Sequence, residues 1–246
     1  MDFCCKYIVV DGEKMNIIIL ILILLPFSVN ADTENLFGQW TALFVNGKFG
    51  KDSPWNYMFE ANIRSSEYPK SYNNDGFDIG SVPIRLGVGY QIDKENSVIG
   101  GYLFQYSDPP YAKYSVYENR VWEQYMNIQD YKEYGKLQLR SRFEQRTITS
   151  DSGVGLRIRQ QVKYSYPIDK KWGLAISEEV FVNCNTVSWG PVEGFDQNRL
   201  FIGPYVNIND NVKVEMGYQN VFVSKDLVDD QMNHIMAINL YYNVPD

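Results

Sequence analysis

Between Pro83 and Gln91 the chain alternates. Ile84, Leu86, Val88 and Tyr90 are apolar, while Arg85, Gly87, Gly89 and Gln91 are polar or small. A period of two places the two sets on opposite faces of a strand. The pattern recurs along the chain. Phe59, Ala61 and Ile63 oppose Glu60, Asn62 and Arg64, and Val212, Val214, Met216 and Tyr218 oppose Lys213, Glu215 and Gly217. Leu174, Ile176, Val180 and Val182 oppose Ser177, Glu179 and Asn183, and Leu200 and Ile202 oppose Gln197 and Arg199. Glu178 interrupts the apolar face of Leu174, Ile176, Val180 and Val182 and requires a strand end or a bulge. The pattern predicts strands near 39–48, 55–66, 81–91, 97–107, 116–128, 135–147, 153–166, 172–183, 197–207, 212–223 and 232–244. Nothing after Ala31 shows helical periodicity.

Several of these strands are longer than the usual 5–6 residues, and a tilted strand crosses a bilayer in about 9–11. Short connections at 92–96, 168–171 and 208–211 alternate with long polar ones at 108–115, 184–196 and 224–231. That is the habit of outer-membrane barrels. Tyr90, Tyr166 and Tyr205 each close a strand ahead of an Ile and an Asp or Asn, a weak hairpin repeat. Trp55, Tyr57, Tyr90, Tyr106, Tyr117, Tyr166, Trp172, Tyr241 and Tyr242 gather near strand ends, as in an aromatic girdle. Eleven segments can be delimited, but bacterial single-chain barrels carry even numbers. The expected fold is therefore an all-β, transmembrane, antiparallel up-and-down β-barrel of about 12 strands, with 10 as the alternative and the miscount placed in 32–82.

Two segments carry the most charge. In 135–147, Arg140, Arg142, Glu144 and Arg146 share one face, with Leu137, Leu139, Ser141 and Phe143 on the other. In 153–166, Arg157, Arg159, Gln161 and Lys163 oppose Val154, Leu156, Ile158, Val162, Tyr164 and Tyr166. A tight connection around Asp151 and Ser152 would set Arg146 opposite Arg157, Glu144 opposite Arg159, Arg142 opposite Gln161 and Arg140 opposite Lys163. Like charges directly opposed destabilise a sheet, so water or an anion must neutralise the row.

Alternation does not say which face points outward. With charge outside, the fold is a soluble, lipocalin-like barrel with a greasy pocket. With charge inside, it is a membrane barrel with a wet lumen, which export, strand length and strand number favour. The lumen then carries Arg64, Arg85, Lys136, Arg140, Arg142, Arg146, Arg157, Arg159, Lys163, Arg199 and Lys213 against Glu60, Glu144, Glu179 and Glu215. Such a basic interior favours anions, and arginine forks hold carboxylates. The opposing possibility is a plugged lumen in which Arg and Glu only stiffen the barrel.

The first residues read as a targeting segment. Asn16–Phe27 is an apolar run of about a dozen residues, short for a spanning helix, and Val29 and Ala31 form a small-residue cleavage pattern. The expected division is a signal peptide at 1–31, with Met15 as an alternative start, and one barrel domain at 32–246. An uncleaved N-terminal anchor is the other reading of that run. Cys4 and Cys5 leave with the signal, so Cys184 has no partner for an internal disulfide.

Composition changes the picture in one respect. The chain of 246 residues has a formal charge of −7 and 15% aromatics, including 19 Tyr. An acidic balance argues against nucleic acid, and it makes the basic face more unusual.

The segments "LRSRFEQR", "GLRIRQQVKYSYPI", "EEVFVN" and "FDQNRLFIGPYVNINDNVKVEMGYQN", with "GQW" near residue 38, carry a resemblance. The chain resembles a family of bacterial outer-membrane barrels known only as domain of unknown function twenty-four-ninety, over most of 37–244 and most strongly over 135–220. The resemblance implies a β-barrel and a Gram-negative outer membrane, and it implies no activity. Glu144, Arg146, Arg157, Arg159, Glu179, Phe181, Asn198 and Arg199 match its pattern without known roles. "MDFCCKYIVVDGEK" has no counterpart in it, in keeping with Met15 as the start.

Other chemistry is thin. His234 is the one histidine, shares a face with Met236, Ile238 and Leu240, and is expected to point at lipid. No nucleophile elbow, phosphate loop or HExxH occurs. Cys184 and His234 lack paired metal ligands, and Asp75 and Asp78 lack EF-hand spacing. The expectation is no enzyme, no cofactor and no metal. The candidate site is an anion-facing lumen of Arg85, Arg140, Arg142, Glu144, Arg146, Arg157, Arg159, Lys163, Glu179, Arg199 and Lys213. The expected partners are outer-membrane lipid, lipopolysaccharide and a small anionic solute, with a monomer favoured. The alternatives are a structural or interaction barrel, a soluble exported barrel and a membrane-surface enzyme.

Overall fold

The computed structural model describes residues 33–72, 74–225 and 230–245; the expected signal segment, with Cys4 and Cys5, lies outside them. The described residues form eleven strands: β1 (Thr33–Lys48), β2 (Trp55–Glu67), β3 (Phe77–Gln91), β4 (Asn96–Ser107), β5 (Val116–Asp130), β6 (Lys136–Ile148), β7 (Asp151–Pro167), β8 (Trp172–Asn183), β9 (Gly194–Asn207), β10 (Val212–Val223) and β11 (Asp230–Asn243). Each pairs antiparallel with its successor, and β1 pairs with β11 in parallel, which closes the barrel. The count falls between the ten and twelve expected. With an odd number of strands and every hairpin antiparallel, the first and last must run the same way. The seam is long, from Thr33 opposite Asp230 to Asn46 opposite Asn243. Closure leaves no edge strand unpaired.

The direction of the two faces is clear. On β3, Arg85 is 5% exposed and its neighbour Leu86 is 55% exposed. Val88, Ile158, Leu174, Ile202 and Met216 also stand exposed on the outer surface, and every arginine of the chain faces inward. The greasy pocket of a lipocalin-like barrel is therefore replaced by a charged interior. Glu123 on β5 and Glu178 on β8 interrupt the outer face. Glu178 sits at neither a strand end nor a bulge, contrary to expectation, because the irregularity of β8 lies at Phe181/Val182. Asn198 accommodates it instead, donating from Nδ2 to its Oε1 at 2.7 Å.

The hairpin repeat has a physical basis. Asp93 accepts from the N–H groups of Glu95 and Asn96, Asp169 from those of Lys171 and Trp172, and Asn209 from those of Asn211 and Val212. Each side chain closes its turn by capturing two backbone donors. The tyrosines divide, however. Tyr90 and Tyr166 stand outside, whereas Tyr205 is buried with its ring where a Cβ on Gly173 would lie. Tyr205 precedes its turn isoleucine by one residue more than the others do, and one residue reverses the face. Trp55, Tyr117, Trp172 and Tyr242 also stand outside. Tyr57, packed over Gly47, and Tyr241, against Glu215, point inward and leave the expected girdle.

The turns carry a pH signature. Asn96, with the backbone N–H groups of Glu95 and Asn96, holds the Asp93 carboxyl below its ordinary value. The N–H groups of Trp172 and Lys171 do the same for Asp169. A depressed folded pKa stabilises above the unfolded value, about 3.9 for Asp, and that stabilisation is lost as pH falls through the folded value. The double variant Asp93→Asn, Asp169→Asn is expected to be less acid-sensitive than wild type, the gap between their unfolding midpoints closing below about pH 4. A parallel pair of acid titrations would overturn this.

Candidate functional site in the barrel interior

The inward residues surround a cavity of about 3290 Å³. Its lining runs from Lys94 and Asp210 at the short-turn end to Glu34 and Lys225 at the long-loop end. Alternation aims charged side chains from neighbouring strands at a common axis, where they meet across the lumen rather than along one sheet.

Glu144 on β6 is the hub, only 1% exposed. Arg157 Nη2 and Arg159 Nη1 on β7 approach it to 2.6 and 2.7 Å. Arg120 on β5 lies at 3.7 Å, and Arg85 on β3 and Arg142 on β6 at 3.9 Å. Around the hub, Glu179 on β8 pairs with Arg140 and Arg159, both at 2.8 Å. Glu118 takes Arg146 at 2.6 Å and Arg120 at 2.9 Å, and Glu60 pairs with Arg85. Toward the turn end, Glu215 on β10 holds Lys163 at 2.6 Å and Lys213 at 2.8 Å, with the Tyr241 hydroxyl at 2.9 Å. Asp196 on β9 reaches Arg157 Nη1 at 3.0 Å.

Aromatic rings supply the remaining contacts. Arg142 lies over Trp122 at 4.9 Å, and Arg157, Arg159 and Arg199 converge on Phe181 at 5.1, 4.3 and 4.5 Å. A guanidinium over a ring is held by the ring quadrupole. Two loop aromatics enter from the long-loop end. Tyr111 OH accepts from Trp40 Nε1 at 2.6 Å and donates to the Ser65 carbonyl at 3.2 Å. Trp189 donates to the Gly153 carbonyl at 2.8 Å and lies 5.3 Å from the Arg146 guanidinium.

All eleven expected lumen residues face this interior and belong to one charged lining. Their pairing differs from expectation by two residues. Glu144 is opposite Arg157, Arg142 opposite Arg159, Arg140 opposite Gln161, Gln138 opposite Lys163, and Arg146 opposite Gly155. The chain turns earlier than expected, at 149–150, and a bulge lies between Arg146 and Ile148. Nor does Glu144 neutralise the row alone, since acids from β2, β5, β8, β9 and β10 reach in. Lys136 sits at the exposed rim with Asp130 at 3.0 Å.

Sequence reasoning missed Glu118, Arg120, Trp122 and Asp196. On β5 the inward set is Glu118, Arg120, Trp122 and Gln124, and the outward set is Tyr117, Asn119, Val121, Glu123 and Tyr125. Each set mixes charge with aromatics, so polarity contrast does not separate the faces. The one usable signal was the spacing of Glu118 and Arg120 at i and i+2. His234 lies on the outer face, its Nδ1 2.7 Å from Tyr218 OH, its Nε2 2.9 Å from Asn35 Oδ1 and its ring stacked on Phe37. Among the described residues no cluster of His, Cys, Asp and Glu is arranged to hold a metal.

Comparison with known proteins adds no activity. An uncharacterized protein of Methylorubrum extorquens is 35% identical over 109 residues, which are 43% of this chain and 48% of that protein. The matched segment thus spans about half the relative's length. No solved structure matches. The family described as Protein of unknown function (DUF2490) matches residues 37–233, and the chain belongs to that family.

Proposed function

We propose that the protein is a monomeric outer-membrane barrel whose basic interior binds small anionic solutes or passes them through a narrow waist. The observation that carries this reading is the inverted surface: every arginine inside, and large apolar side chains such as Leu86, Ile158 and Leu174 outside. In water such a surface is an aggregation liability. In a bilayer it is the ordinary outer face of a barrel whose closed ladder leaves no backbone group unsatisfied in lipid. On this reading the exposed aromatics at the strand ends lie at the lipid headgroups, and the long loops face lipopolysaccharide and the outside. The reading includes no catalysis, since the two ring nitrogens of His234 meet a tyrosine and an asparagine rather than a carboxylate.

Two measurements test it. The unboiled protein from an outer-membrane fraction is expected to migrate differently on a denaturing gel from the boiled one. In a planar bilayer under a salt gradient, the reversal potential is expected to show anion preference. Cation preference would sink the anion reading, and loss of heat modifiability would sink the membrane barrel. A second reading is favoured by a specific feature, the burial of Glu144 beneath five guanidiniums: the network is a plug and the barrel is structural. Absence of any conductance, with heat modifiability intact, would select it.

A further inference from the structure

All but two of the interior arginines have a carboxylate within 4.0 Å. The two others, among the described residues, are Arg64 on β2 and Arg199 on β9. Arg64 donates no hydrogen bond, its Nε being buried and unsatisfied. Arg199 gives only its Nε, to Gln197 Oε1 at 3.1 Å. Both guanidiniums nevertheless converge on one side chain. Arg64 lies 4.3 Å and Arg199 5.0 Å from the Trp40 ring centroid.

Two like charges drawn to one neutral ring repel each other. Glu60 and Glu179 act on Arg64 and Arg199 only from a distance, and among the described residues no carboxylate pairs with either. Their free N–H groups face the cavity. The indole itself is fixed. Trp40 packs on Val221 and Ile235, and its Nε1 is held by the Tyr111 hydroxyl, which in turn donates to Ser65. Burial pushes the Tyr111 phenol above its ordinary value, so it remains a protonated anchor at neutral pH. The loop bearing Tyr111 roofs the place from the long-loop end. Gln105, Gln197 and Gln219 supply neutral polar groups in the surrounding lining.

We propose that Arg64 and Arg199, bracketing Trp40 beneath Tyr111, form a binding site for one small oxyanion, a carboxylate or a phosphate. This deepens the reading of an anion-binding lumen and rests on that lumen being wet and reachable. The two forks approach from different strands and so offer several N–H donors to the oxygens of one ligand, the arrangement in which guanidinium outperforms ammonium. The packed waist supplies the contrast: there each guanidinium has a carboxylate within 4.0 Å, Arg142 the loosest with its hydrogen bonds going to Gln124.

The test uses the full-length barrel in detergent and isothermal titration with inorganic phosphate and, separately, with acetate. Wild type is expected to bind one equivalent of at least one probe saturably. The stronger of the two identifies the source as phosphate or carboxylate. Arg64→Gln and Arg199→Gln are each expected to weaken binding about tenfold or more. Arg64→Lys and Arg199→Lys retain charge and guard against a folding defect, with partial binding expected. Lys136→Gln, at the rim, should bind as wild type. The site is overturned if wild type shows no saturable binding of either probe, or if both glutamine variants bind as wild type does. Anion-selective conductance without saturable binding removes the site and leaves the conduit, whereas variant-sensitive binding without conductance removes the conduit and leaves the site.

Discussion

Replacing Glu144 by Gln should destabilise the barrel by about 3–5 kcal/mol, the usual cost of leaving a buried charge without its partner. The substitution keeps shape and removes one negative charge from the point where Arg85, Arg120, Arg142, Arg157 and Arg159 meet. Its size follows from burial. Arg142 is 3% exposed and Arg157 3%, so bulk water cannot substitute for the lost carboxylate. Urea unfolding in detergent, followed by tryptophan fluorescence, measures the effect, with Glu133→Gln in an exposed connection as the reference. A loss below about 1 kcal/mol, the range of surface ion pairs, would mean that the interior is hydrated enough to screen the cluster.

Ile158→Arg discriminates between a bilayer and water around the outer face. Ile158 lies in the middle of β7, is 48% exposed, and has Phe143 and Val182 as its cross-strand neighbours. In lipid, arginine at the midplane of a barrel costs about 2–4 kcal/mol. On an exposed strand in water the same change costs under about 1 kcal/mol, the spread of strand propensity. Folding into phospholipid vesicles is therefore expected to suffer strongly. The corresponding change at the rim, Ile208→Arg, should be near neutral, because the cost falls toward the interface. Equal effects at both positions would remove the bilayer from the account.

The extent to which the fold was legible varies by strand. The alternation of β3, β6, β7 and β10 separates oil from charge at nearly every position, so both the strands and their faces could be read. β5 could be placed but its faces could not, because Trp122 points in while Glu123 points out. β1 extends from Thr33, well before the predicted 39, since its first residues are held by the parallel pairing with β11, a contact across most of the chain that leaves no local pattern. The even-strand rule pulled the expected number away from the eleven segments the pattern delimits. Nothing in the hairpins forbids an odd number once the ends can pair in parallel.

The charge row shows the same division. That Arg140, Arg142, Arg146, Arg157 and Arg159 share a side was readable from spacing alone. Which of them touch was not, because a turn placed two residues away changes every partner. The Arg64–Trp40–Arg199 arrangement was less legible still. Trp40 and Arg64 are register partners on adjacent strands, but Arg199 arrives from β9, across β10 and β11.

The sequence by itself determined that the chain would be a series of long two-faced strands, with arginine on one face and large apolar residues on the other, because a strand's side chains alternate whatever surrounds it. Only the tertiary structure decided that the arginine faces turn inward, which carboxylate each one meets, and which two are left with none. Those outcomes depend on closure and register, and both are set by contacts between residues far apart in the chain.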